Sequence, residues 1–415
     1  MESIPPIDSG KPSLFANTFY TLRYRDFRLF WIALTVSLLG VSFQTVAQGW
    51  LVYRLTGSAT MLGFTGFISA VLALPASLIG GVLADRVSRR NLVVVTQFLM
   101  IFPPIALAYL IWSDQVQVWH VIAATIILAI IAAVDIPSRT AMVANLVPKD
   151  DLMNAQGLAS AVGQLTRIIG PAIAGVVIGL WGEAIPYFIN GLSYVAMVVA
   201  LLMMKPQPAA TRERKEKISS GFLKGIKYSL TTPFILALLI IATAQGVFLQ
   251  PYIALLPVFA SDILRVGPQG LGWLNAAVGV GALIGAFGVA NLKRGHRGLY
   301  LVLGSFLIPV FLIGFAWSTQ IGIAIALLFL MGLGTVFLRT IPATYLLMEV
   351  PDELRGRVLS LATLIWYGAP YAAGLPIGFL SDTWGISIAL SLTGVLFLAT
   401  MIGITLTVPR IRKEE

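Results

Sequence analysis

"GPAIAGVVIG" at residues 170–179 and "APYAAGLPIG" at residues 369–378 are variants of one pattern. They share Pro171/Pro370, Ala174/Ala373, Gly175/Gly374, Ile178/Ile377 and Gly179/Gly378 at an offset of 199 residues (369 − 170). Ahead of each stands a second match, "VPKDDL" at 147–152 and "VPDEL" at 350–354, offset by 203 at its first residue (350 − 147). Gln44 and Gln245 lie 201 apart (245 − 44). Nearly equal offsets across 415 residues mean that the second half of the chain repeats the first.

What is repeated follows from composition. The chain is 58% hydrophobic and 11% charged, with a mean hydropathy of +0.89, which is more apolar surface than a soluble domain buries. In lipid only a helix or a closed barrel satisfies its own backbone, and a helix needs about 20 mostly apolar residues to cross roughly 30 Å of hydrocarbon. Twelve runs qualify: 27–53, 61–84, 92–112, 119–141, 155–180, 185–204, 233–259, 270–292, 298–317, 320–338, 357–380 and 385–408. They are apolar all round and lack the polar stripe of a soluble helix. The sequence therefore predicts an all-α membrane protein with twelve transmembrane helices in two six-helix parallel repeats. A six-helix bundle spans 1–204, a cytoplasmic linker 205–232 and a second six-helix bundle 233–415. Such parallel repeats are the plan of one large class of secondary transporters.

Basic residues set the orientation, because Lys and Arg near helix ends stay on the cytoplasmic side. All of the 28 Lys and Arg except Arg54, Arg265 and Arg167 fall in the termini or in the loops after even-numbered runs. Both termini are thus expected in the cytoplasm, in a multi-pass protein of the cell inner membrane. The net charge of +10 has the same origin and does not imply nucleic acid as a partner. Residues 1–26 lack the apolar core of a cleavable signal, so the first run is expected to insert and stay.

The chain has no cysteine, which excludes disulfides and thiolate metal sites. His120 and His296 fall in loops on opposite sides of the membrane and cannot share a metal, so no metal site is expected. No Gly-x4-Gly-Lys-Ser/Thr phosphate cradle is present either. These exclusions predict a protein that is not an enzyme, holds no cofactor and draws any uphill work from an ion gradient. In the linker, Ile218, Phe222, Leu223, Ile226 and Leu230 share one helical face while Lys217, Lys224 and Lys227 take the other. That is the pattern of an amphipathic helix on the membrane surface or of one that binds a partner.

Charge is concentrated in "GVLADRVSRR" (81–90), the turn between the second and third runs. Gly81 allows close backbone approach, and Arg86, Arg89 and Arg90 satisfy the positive-inside bias, but that bias does not account for Asp85. An acid at this helix end can accept charge-assisted hydrogen bonds from Arg86, Arg89 or Arg139, forming a conformational latch. The aligned "GVANLKRGHR" keeps its bases without an acid, so the latch is one-sided.

"GVLADRVSRR" resembles the loop signature of the major facilitator superfamily, Gly-x3-Asp-Arg-x-x-Arg-Arg, with Ser88 where many members carry glycine. "GPAIAG" resembles the Gly-Pro motif of its drug and proton antiporters. "FRLFW", "AQGWLVYRLTGSATMLG", "DIPSR" and "LTRIIGPAIAG" are similar to the exporter branch containing the enterobactin exporter and macrolide efflux proteins. The resemblance covers nearly the whole chain. It implies alternating access, with two six-helix bundles rocking about a central cavity, and efflux driven by proton influx.

Ionisable residues at membrane depth are functional hypotheses by default. Arg167 lies near the bilayer centre in the fifth run, and Asp135 is the acid well inside the fourth. Three readings stay open for them: an ion pair stapling two helices, a coupling pair broken by protonation, or contact of Arg167 with an anionic substrate. Gln44 and Gln48 share a face of the first run, with Gln245 at the matching level of the seventh, and either bind substrate or join helices. Phe248, Tyr252, Trp366, Tyr367 and Tyr371 line a greasy pocket or pack. Gly170, Pro171, Gly175 and Gly374 are expected where helices approach closely.

The function expected is secondary active export of a hydrophobic or amphipathic small molecule such as a drug, macrolide or siderophore, by a monomer in the lipid bilayer. A solute importer or lysophospholipid flippase of the same fold, or a non-transporting membrane sensor, are the alternatives.

Overall fold

The computed structural model describes residues 19–86, 88–205, 218–291 and 297–408, of which 73–86, 218–224 and 297 are described as backbone alone. Twelve long helices follow one another: α1 (Arg25–Thr56), α2 (Ala59–Arg86), α3 (Arg89–Trp112), α4 (Val118–Val143), α5 (Leu152–Trp181), α6 (Ala184–Met203), α7 (Pro233–Ile263), α8 (Gly267–Ala290), α9 (Arg297–Ala316), α10 (Ile321–Glu349), α11 (Asp352–Trp384) and α12 (Ile386–Thr407). No strand occurs among the described residues. A further helix, Ile218–Thr231, precedes α7 and begins at the residue where the amphipathic pattern begins. It packs on α11, with Gly225 against the Cβ of Arg357.

Helix ends follow local chemistry. Ser88 N-caps α3 by accepting from the Asn91 amide at 3.3 Å, so the serine in place of glycine has its own structural use. The matched Pro148 and Pro351 precede the starts of α5 and α11, where Asp150, Asp151, Asp352 and Glu353 face the positive helix end. Gly182 and Gly385 close those same helices with φ of +81° and +87°, values that favour glycine. Helix α7 is less regular than its run suggests. Two π turns, Gln245–Leu249 and Phe259–Ile263, interrupt it, with Pro251 and Pro257 between them.

In the first half α1 packs on α5 and α6, α2 on α4, and α3 on α4 and α6; in the second, α8 and α9 pack on α10, and α9 on α12. The halves meet along α2 with α11 and α5 with α8. The repeated small-residue motif lies at these seams. A Cβ on Gly175 would sit 2.5 Å from the Cα of Gly272, one on Gly63 would strike the carbonyl of Gly374, and one on Gly378 the carbonyl of Ala59. Pro171 offers its carbonyl to the same face, 3.1 Å from where a Cβ of Gly272 would be. Gly170 turns to the other side of α5 and packs on Ser42 of α1.

The seams occupy one side of the molecule, the far side from Phe19 and Val408, the first and last described residues. The α5/α8 seam reaches inward as far as Ile168, against which a Cβ on Gly279 would close to 2.8 Å from the Cα. Below that level no glycine crossing joins the halves among the described residues. Gly374 itself has more room, with Gly63 Cα at 3.4 Å from its ideal Cβ. Gly63→Ala is therefore expected to weaken far-side closure by about 1 to 3 kcal/mol through overpacking, while Gly374→Ala stays near parental. Spin-label distances across the far ends of α2 and α11 check this, and equal behaviour of the two variants would contradict it.

Candidate functional site

Two side chains meet at mid-depth beneath the seams, and a third lies within electrostatic reach of them. Arg167 stands at the midpoint of α5 and Tyr367 at that of α11, both exposed. Arg339 of α10 donates from Nη2 to the Tyr367 hydroxyl at 3.2 Å, and its guanidinium carbon lies 5.4 Å from the ring centroid. Arg167 lies within electrostatic reach of that hydroxyl from the opposite half. Neither arginine has a carboxylate within 4.0 Å among the described residues.

Arg339 is absent from the sequence expectations because the tenth apolar run ends one residue before it. The helix instead continues to Glu349, so Arg339 lies roughly 15 Å inside its end at 1.5 Å per residue. The repeat carried the signal. Arg139-Thr140 and Arg339-Thr340 are 200 residues apart (339 − 139), in step with the other offsets.

The expected pairing of Asp135 with Arg167 does not occur. Asp135 is 1% exposed; its Oδ1 accepts from Thr96 Oγ1 at 2.8 Å and Gln97 Nε2 at 3.0 Å, and its Oδ2 lies 3.6 Å from Arg139 Nε. Arg139, one turn away on the same helix, is the nearer cation, and α5 turns to α1 and α8 rather than to α4. An uncompensated carboxylate here would be expensive, so two neutral donors and one cation hold it. The Oε1 of Gln97 has no hydrogen-bond partner among the described residues.

Among the proposed substrate contacts the glutamines join helices. Gln44 is buried and accepts from Asn190 of α6, Gln48 donates to Thr125 Oγ1 of α4 at 3.1 Å, and Gln245 donates to the carbonyl of Thr335 in α10 at 3.2 Å. Buried amides prefer such partners when one lies within reach. Tyr252 is 3% exposed and packs edge-on to Phe315. Phe248 and Trp366 lie against the core of the second half. Of these aromatics Tyr367 and Tyr371 remain open, and Tyr371 covers Gly66.

The latch residues Gly81, Asp85 and Arg86 have side chains outside the described residues. Its other cations have partners of their own. Arg89 donates to the carbonyl of Ala141 at 3.2 Å and Arg90 to those of Leu201 and Leu202 at 2.7 and 3.1 Å, so each ties α3 to the last turn of a neighbouring helix. Arg139 is committed to Asp135.

On the far side the halves are joined by carboxylates. Tyr53 of α1 donates to Asp262 of α7 at 2.5 Å. Asp382 of α11 accepts from Ser58 Oγ, the Ala59 and Thr60 amides and Thr60 Oγ1 at 2.6, 2.7, 2.9 and 2.6 Å. It caps the N-terminus of α2 from the other half of the molecule. No cluster of potential metal ligands occurs among the described residues.

Two six-helix halves around charged groups at membrane depth define a transporter of the major facilitator type. Residues 16–415 match the transmembrane secretion effector family, and the chain belongs to it. The multidrug efflux pump Tap of Mycolicibacterium fortuitum is 25% identical over 91% of this chain and 94% of its own. The enterobactin exporter of Shigella flexneri is 24% identical over 85% and 84%. The fold is shared with a bacterial homologue of the human lysosomal transporter Spinster in an inward-facing, occupied conformation (TM-score 0.72, 13% identity, 94% and 98% covered).

Asp382→Ala should weaken far-side closure by about 0.5 to 2 kcal/mol, the range for a lost helix cap, and Asp382→Asn, which keeps an acceptor, by less. Cross-linking yield between residues 58 and 382 cannot be used once either is altered, so labels at 56 and 385 read the closure. No change in the alanine variant would mean that the cap does not hold the halves together.

Proposed function

We propose that the chain is a proton-driven antiporter of the cell inner membrane, exporting a hydrophobic or amphipathic small molecule by alternating access. The side carrying both termini is the cytoplasm, from the distribution of Lys and Arg, and the far side is outside. The protein works as a monomer with no cofactor, and 1–204 and 233–415 are its two moving bundles. The names of relatives, an efflux pump and an exporter, favour the outward direction.

The observation that carries the coupling is the buried carboxylate of Asp135. Its charge holds Arg139, so protonation removes the ion pair and frees a cation near the cytoplasmic end of α4. A proton arriving from outside thereby shifts the balance between the two states, and substrate release follows inward proton movement. Asp85, where the loop signature places an acid, is the complementary cytoplasmic latch. Of the cations that could meet it, Arg89, Arg90 and Arg139 already hold other groups.

Reconstituted in proteoliposomes with an imposed pH gradient, Asp135→Asn should lose gradient-driven accumulation of a fluorescent efflux substrate by tenfold or more and keep downhill exchange. Accumulation equal to that of the parent would place the coupling elsewhere.

A further inference from the structure

We propose that Arg167 and Arg339, brought together at Tyr367, form an oxyanion site that selects amphipathic anions as substrates. This deepens the transporter reading by naming the substrate class, and it rests on that reading for the direction of movement. The two arginines come from opposite halves, one on α5 and one on α10; Arg339 donates to the Tyr367 hydroxyl of α11 at 3.2 Å, and Arg167, at the midpoint of α5, lies within electrostatic reach of it.

The repeat explains why Arg339 is available. In the first half Arg139 is neutralised by Asp135 four residues earlier, but the matching position before Arg339 is Thr335, whose hydroxyl donates to its own helix at the Met331 carbonyl. One half therefore carries a paired arginine and the other an unpaired one at the same place in the repeat. Arg167 likewise has no carboxylate within 4.0 Å among the described residues. A cation at membrane depth is costly, and a second cation within electrostatic reach of the same hydroxyl adds repulsion. An anion between them removes both costs, and guanidinium forks match the geometry of a carboxylate or phosphate.

The position is also where a substrate would be handed over. The α5/α8 seam ends at Ile168, beside Arg167, so the pair lies directly under the closed gate. Tyr367 presents its ring on the same surface and remains 51% exposed, which suits a ligand with an apolar body. Because each half contributes one arginine, an anion bridging them ties the two bundles together in this state. Parting of the bundles would break the bridge.

The test uses the full chain purified in detergent and three probes: 1-pyrenebutyrate, neutral 1-pyrenebutanol and dodecyl phosphate. The parent should bind 1-pyrenebutyrate at least tenfold more tightly than 1-pyrenebutanol. Arg167→Gln and Arg339→Gln should each lose fivefold or more for the anion, with the alcohol within twofold, which also shows that the cavity is folded. Arg339→Lys, which keeps the charge, should recover most of the loss. A preference for dodecyl phosphate over the carboxylate would assign the oxyanion to a lipid-type headgroup, and the reverse to a free amphipathic acid; both support the site. Equal binding of 1-pyrenebutyrate and 1-pyrenebutanol by the parent, or equal losses for both in the glutamine variants, would overturn it. Binding needs no gradient, so this result is independent of whether proteoliposomes show proton-driven export.

Discussion

Direct backbone contact between glycines is what the rest of the molecule depends on. Where Gly175 meets Gly272 and Gly63 meets Gly374, no side chain separates the helices. Lipid supplies no hydrophobic force between helices, so association comes from close packing and from interhelical hydrogen bonds. The seams provide the first, and Tyr53–Asp262 and the Asp382 cap provide the second. With both on the far side, the halves are fixed there, and the charged residues at mid-depth lie just beneath the fixed part.

The two halves share a backbone plan but divide the chemistry. At one position of the repeat the first half has Asp135 with Arg139, and the second has Thr335 with Arg339. The first arrangement is a buried ion pair. The second leaves a cation exposed beside Tyr367. Duplicated geometry thus carries unequal charge at one position of the repeat.

Much of the fold was legible in the sequence because the relevant signals are collective. Apolar runs locate the helices, and the 199-residue offset pairs α5 with α11. The site was less legible because it depends on where individual side chains turn. The tenth apolar run ends at residue 338, which hid Arg339, although the helix continues for eleven further residues to Glu349 (349 − 338). Spacing could not show that Asp135 has a cation on its own helix and two donors on α3. Nor could it show that Gln44 and Gln245 find partners on neighbouring helices. The π turns of α7 have no periodicity of their own in the seventh run, although Pro251 and Pro257 lie between them.

The cap on α2 links the transporter to the medium outside it. With the halves together, the first amides of that helix are occupied by Asp382. Once the halves separate, the same amides and the hydroxyls of Ser58 and Thr60 face water at a positive helix end, an arrangement that attracts small anions. Chloride or sulfate in the surroundings would then compete with the protein's own carboxylate for one set of donors. Were the halves to part at this seam, the ionic composition at that surface would enter the energetics of the parting.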